Sequence, residues 1–296
     1  MKSSSIQLLV FFIGFACLTG CNSTKRAVQT STEEKVIQTS NKDPLTKEKP
    51  IIKIDSVVVE ETALPVPVSE TKGVKKEADT LEVNLHSTWN SLLQKNVSED
   101  GFVNYQGFKK DRKPFNEYLQ LLEDNVPDSS TSREEKLAYW INAYNAFTVK
   151  LILDNYPVNS IKDIKNPWDI RFFKLGNKWY NLNEIEHQIL RKMNEPRIHF
   201  AIVCASVSCP KLQNEAFIAE DLEIQLNDAT RTFLNDPTKN KIDGQKAVLS
   251  LIFRWFSKDF KKQGSIIDFI EPYVETPVND QTKISYLKYD WGLNGA

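Results

Sequence analysis

Residues 136–157 read KLAYWINAYNAFTVKLILDNYP, and this stretch decides the fold. Leu137, Trp140, Ile141, Tyr144, Ala146, Phe147, Leu151 and Ile152 recur at helical spacing. They wrap most of the circumference, where a surface helix would show a single apolar stripe. A helix of that kind belongs in the centre of a domain. Ser132, followed by Glu134 and Glu135, predicts its start, because a serine oxygen accepts from first-turn N–H groups and acids suit the positive end of the helix dipole. Pro157 predicts its end. Asn142 and Asn145 lie one turn apart on this rod, so their amides need partners from neighbouring chain.

Outward from this helix the pattern is mixed. Leu85, Trp89, Leu92 and Leu93 predict an earlier helix, and Phe115, Leu119 and Leu122 another; Phe102–Tyr105 reads as a short extended piece. Phe172–Leu175 and Lys178–Leu182 flank Gly176-Asn177 and predict a hairpin. Asn183 with Glu186 three residues on resembles a capping box opening NEIEHQILRKM. Ile198–Val203 is a short, nearly continuous apolar run, the pattern of an interior strand. A helix is predicted around Leu222–Phe233, a strand passing into a helix over 247–260, and a closing strand over 284–294. The expected class is therefore α+β, a single mixed domain over residues 81–296 with a buried central helix packed on a small sheet that includes 198–204.

The N-terminal part has a different character. Lys2 precedes the apolar run IQLLVFFIGFACL (6–18), which has the length of a signal-peptide core and is short for a transmembrane helix. Leu18-Thr19-Gly20-Cys21 then resembles the bacterial lipobox, which predicts a lipoprotein signal peptide over 1–20 and lipidation of Cys21. Residues 22–80 contain no Phe, Tyr, Trp, His or Cys. Such a segment cannot bury enough apolar surface to offset its ordering entropy, so 21–80 reads as a disordered, lipid-anchored tether with a span on the order of 45 Å. The expected location is the bacterial cell envelope, periplasmic or surface-exposed, with the membrane as a partner through Cys21. The 38 basic and 39 acidic residues nearly cancel, so no nucleic-acid partner is expected.

Chemistry concentrates at 199–212, HFAIVCASVSCPKL. Four readings of its thiols compete: a disulfide Cys204–Cys209, suited to an oxidising compartment; a nucleophilic Cys204 activated by histidine; a zinc site with His199, at a spacing wider than the usual knuckle; and inert buried thiols. On a regular strand His199 and Cys204 would point to opposite faces, which leaves His187, one turn before Arg191, as an alternative base. No metal or other cofactor is expected.

Five ordered blocks resemble the family called domain of unknown function 547: YWINAYNAF (139–147), LNEIEHQILR (182–191), RIHFAIVCASVSCPKL (197–212), WFSKDF (255–260) and YDWGLN (289–294). The resemblance spans about residues 85–294. It points to a site drawn from Asn142, Asn145, Glu186, His187, Arg191, His199, Cys204, Ser206, Cys209, Asp259 and Asp290, and supplies no reaction. The layout also resembles the papain and transglutaminase superfamily in outline. There the cysteine opens a central helix; here that helix offers Asn142.

Two function classes stand. One is a thiol-dependent hydrolase or transferase acting on a peptide or amide bond, with Cys204, His199, His187 and Asn142 catalytic. Asn145, Arg191, Ser206, Asp259 and Asp290 would then bind or orient. The other is a non-catalytic envelope module that binds a peptide or small molecule, with Cys204–Cys209 as a structural disulfide. For the first class, His187, His199 and Cys204 should converge with Asn142 or Asn145 in one pocket. Asp259 or Asp290 should orient a histidine in preference to Glu186, whose helical neighbour His187 points about 100° away from it.

Overall fold

The computed structural model describes residues 84–296; the predicted signal peptide, Cys21 and the tether lie outside the described residues. Four helices come first: α1 (Ser87–Asn96), α2 (Tyr105–Lys110), α3 (Arg112–Asp124) and α4 (Arg133–Asn155). α4 is the expected central helix, and every residue from Leu137 to Val149 is buried. Ser132 Oγ accepts from Glu135 N–H at 3.1 Å while the Glu135 carboxylate accepts from Ser132 N–H at 2.8 Å. A reciprocal cap of this kind contributes roughly 1 kcal/mol. Tyr156 is extended ahead of Pro157 and ends the helix. α1 and α3 cover one side, with Trp89 stacked on Tyr118 at 5.5 Å between centroids.

Strands β1 (Phe173–Leu175) and β2 (Lys178–Tyr180) form the predicted antiparallel hairpin, turning through Gly176 at φ +56°. α4 lays Phe147 flat on Phe173, with centroids 3.8 Å apart, and sets Trp140 beside Tyr180. The central helix thus packs on a small sheet, and that sheet is the hairpin. Next comes a π-helical turn, Glu184–Ile189, continued by a 3-10 turn, Leu190–Met193. Its cap differs from the sequence reading. Asn181, not Asn183, makes the reciprocal bonds, and its partner is Glu184, two residues earlier than Glu186. Both pairs share the Asn-x-x-Glu spacing, and the hairpin ends early enough for the first of them to serve.

The remainder holds α5 (Ile198–Ala201), α6 (Leu222–Asn235), β3 (Lys241–Ile242), β4 (Lys246–Leu249), α7 (Ile252–Trp255), α8 (Ser257–Phe260), α9 (Ile266–Ile270) and β5 (Lys283–Tyr286). β4 is central in a three-stranded sheet, antiparallel to β3 and parallel to β5. The domain is mixed α+β. Among the described residues no helix is long and apolar enough to cross a membrane.

One element is corrected. Residues 198–204 are not a strand: Ile198–Ala201 form one helical turn and Ile202–Cys204 run extended without a ladder. A short run buried on all sides looks the same to periodicity whichever backbone it adopts. Here it lies between two apolar clusters. Phe200 joins Phe233, Phe253 and Phe260 in one, while Ile198, Ala201, Ile202 and Val203 join α4 in the other. The predicted closing strand is also shorter than expected. Past Tyr286 the chain makes only single bridges, Leu293 to Ser206 and Gly295 to Val103, and Leu293 N–H donates to Asn159 O at 2.8 Å.

Candidate active site

α4 places the cysteine loop through one amide. Asn145 Nδ2 donates to Ala201 O at 2.9 Å, and its Oδ1 accepts from Val203 N–H at 2.9 Å. The side chain mimics a peptide group and holds the extended stretch that ends in Cys204. Asn142, one turn earlier, does the same for Phe217, with bonds of 2.7 and 3.1 Å. It serves the approach to α6 and does not line the pocket, contrary to its expected catalytic place. After Cys204 the chain turns through Ala205 at φ +54°, and Cys209 N–H closes on Ser206 O.

Cys204 Sγ lies 3.1 Å from Ser206 Oγ and 3.1 Å from Tyr289 OH, and Cys204 N–H donates to Cys209 Sγ at 2.8 Å. Both cysteines are free thiols in this structure. Burial works against a charged Cys204, but hydrogen bonds from Cys209, Ser206 and Tyr289 outweigh it and bring the thiol below its ordinary value.

The π-helical turn brings Glu186 and His187, adjacent in sequence, to the same cavity. A π turn takes more residues per revolution than an α turn, so neighbours diverge less than the sequence argument assumed; such turns recur at functional sites. Glu186 is 7% exposed, and its hydrogen bond comes from Tyr144 OH at 3.2 Å. Burial pushes its carboxyl up to about 7, against the pull of Tyr144 and Arg191, and the His187 ring 4.0 Å away is neutral and forms no ion pair with it.

The histidines are held in opposite ways. Arg191 donates from Nε to Asp259 at 2.6 Å and from a terminal nitrogen to His187 Nδ1 at 2.8 Å. Because arginine only donates, His187 Nδ1 must carry a lone pair, and its proton sits on Nε2. His199 Nε2 lies 3.0 Å from the Asp259 carboxylate, so that nitrogen carries the proton and Nδ1 the lone pair. Burial, aided at His187 by the Arg191 charge, keeps both rings neutral, although Asp259 pulls the other way. Burial also opposes charge on Asp259, yet bonds from His199 and Arg191 hold its carboxyl well below the usual range. Phe256 stacks on His199 at 4.0 Å and fixes the ring plane.

These groups line a cavity of about 230 Å³. His187, His199 and Cys204 all line it, without the Asn142 or Asn145 expected beside them; neither histidine reaches the thiol directly. Asn145 and Arg191 act from behind the wall, Ser206 bonds the thiol, and Asp259 orients His199. Asp290 does not orient a histidine: its Oδ1 accepts from Gly292 N–H, and its backbone exchanges bonds with Ser208. Sequence reasoning missed Tyr144 and Tyr289, and also an aromatic wall of Trp168, Trp255 and Trp291. Tyr144 keeps the helical spacing of the core residues, so the sequence pattern does not separate it from them. Among the described residues no group of three or more His, Cys, Asp or Glu is placed to hold a metal ion.

Residues 128–234 match the family model described as Protein of unknown function, DUF547. The matched stretch runs from just ahead of α4 to near the end of α6 and carries Asn145, Glu186, His187, His199 and Cys204. Asp259, Tyr289 and Trp291, which complete the site, lie beyond it. No curated protein and no solved structure matched the chain.

Proposed function

We propose that this pocket is the active centre of a thiol-dependent hydrolase or transferase acting on a peptide or amide bond. The observation that supports it is the pairing, in one cavity, of a hydroxyl-bonded thiol with an imidazole oriented by a carboxylate. Cys204 attacks the carbonyl carbon, and the thiol proton passes through a water in the cavity to His199 Nδ1, which returns it to the departing amine. The His187 Nε2 proton donates to the developing oxyanion. Water or an acceptor amine then releases the thioester. Such a pocket needs no charged substrate, since Arg191 and Asp259 neutralise each other and both imidazoles are uncharged.

Iodoacetamide labelling of Cys204 against pH tests the nucleophile without a known substrate. The inflection is expected below that of a free thiol. Tyr289→Phe should raise it by about one pH unit, because a hydrogen bond to a charged group contributes roughly 1.5–3 kcal/mol. A Cys204 that stays unlabelled from pH 6 to 9 would sink this reading. It would leave the non-catalytic binding module, which the half-exposed Trp255 favours.

The proposal includes an envelope lipoprotein, with Cys21 acylated and residues 21–80 as the tether that gives the pocket reach from the membrane. The lipobox-like end of the apolar run and the aromatic-free segment support it. Cys21→Ala should move the protein from the membrane fraction to the soluble fraction, and tight association of that variant would refute the anchor.

A further inference from the structure

The two thiols carry an inference that does not depend on acyl transfer. We propose that Cys204 and Cys209 are a peroxide-reactive pair, in which a hydroperoxide oxidises Cys204 and Cys209 resolves the product into a disulfide within the loop. The first support is proximity. Cys204 N–H donates to Cys209 Sγ at 2.8 Å, and Cys209 N–H closes the turn on Ser206 O at 3.0 Å. Neither cysteine sits in a helix or a strand ladder, so joining the sulfurs unwinds nothing.

The second support is asymmetry. Both cysteines line the cavity, but Cys204 is half-buried while Cys209 is only 4% exposed. The Ser206 and Tyr289 hydroxyls stand 3.1 Å from Cys204 Sγ and stabilise its thiolate. Burial and the neighbouring Cys204 charge push the Cys209 thiol well above its ordinary value. The pair therefore divides into a sulfur that ionises and a sulfur that keeps its proton, the division that oxidation followed by resolution requires.

In the first step the Cys204 thiolate attacks one peroxide oxygen. The S–O bond forms and the O–O bond breaks. The departing oxygen takes up the proton that the Cys204 thiol gave up and leaves as alcohol or water. In the second step the Cys209 sulfur attacks the Cys204 sulfur. The S–S bond forms, the S–O bond breaks, and hydroxide leaves with the Cys209 proton as water. The thiols lose two electrons and the peroxide gains them.

The test treats the reduced full chain with hydrogen peroxide and maps its peptides by mass spectrometry without reduction, which keeps Cys17 and Cys21 apart from the pair. The peptide holding Cys204 and Cys209 should lose two hydrogens and its iodoacetamide uptake, and dithiothreitol should restore both. Cys209→Ser should accumulate a sulfenic acid on Cys204 that dimedone traps. Cys204→Ser should slow peroxide consumption by about tenfold or more and leave Cys209 unlabelled by dimedone. A wild-type pair that stays reduced, or a Cys209 that oxidises at the wild-type rate without Cys204, overturns the proposal. The wild-type map needs no variant to fold. A domain that reacts with peroxide but cleaves no amide would remove only the acyl-transfer reading.

Discussion

Between pH 4 and pH 8 the stability of the wild-type domain will fall by about 3 kcal/mol relative to Glu186→Gln. The folded state keeps Glu186 protonated up to about pH 7, whereas the unfolded chain releases that proton near 4.5. Between those values the unfolded state binds fewer protons, so stability drops as pH rises through the window. The contribution is undiminished below 4.5 and lost above 7. Tyr144, His187, Arg191 and Asp259 face this carboxyl, and all four are unchanged in the variant. Gln still accepts from Tyr144 and carries no charge, so it isolates the titration. Urea denaturation of both proteins at several pH values reads the difference directly. A gap that does not change with pH would show that Glu186 titrates in the folded state as it does in the unfolded chain.

Asn145→Ala should cost roughly 3 kcal/mol, because it strips the partners from two buried backbone groups, Ala201 O and Val203 N–H, at roughly 1–3 kcal/mol each. Asn142→Ala removes two equivalent bonds at Phe217 and should cost a similar amount. The two variants part company at the thiol. Asn145 holds the stretch that ends in Cys204, so its loss should also slow iodoacetamide labelling under native conditions. Asn142 holds chain that leads away to α6 and should leave labelling unchanged. Equal effects on labelling would mean that Asn145 stabilises the domain without positioning Cys204.

The sequence was most readable where local rules and burial agree. α4 has a serine cap, acids in its first turn, apolar residues all round and a proline stop, and each points to the same element. The hairpin was legible for similar reasons. Residues 198–204 were not, because a run buried on every side carries no period and neighbouring clusters decide its backbone. The site was legible as residue types gathered near 199–212, and His187, His199 and Cys204 do share a cavity. What could not be read was which carboxylate serves which histidine. That depends on Arg191, whose guanidinium bonds His187 one turn away and Asp259 68 residues further along the chain. Asn142 and Asn145 look alike in sequence and differ only in which distant backbone each meets. Tyr289 lay inside a recognised block, yet nothing local marks a phenol in an aromatic-rich tail as a partner for a thiol 85 residues away.

That tail sets an order on biosynthesis. Tyr289 supplies a donor to Cys204, Trp291 closes the cavity wall, and Gly292 and Leu293 stitch the cysteine loop to the Asn159 turn. Ribosomes make chains from residue 1 onward. A nascent chain that has already released α4, His199 and both thiols still lacks the Tyr289 hydroxyl, one of three groups that lower the Cys204 thiol. The thiol is therefore only partly tuned while the chain is being made, with Cys209 and Ser206 beside it, and its set of partners is complete only when the last strand and the segment after it have emerged and docked.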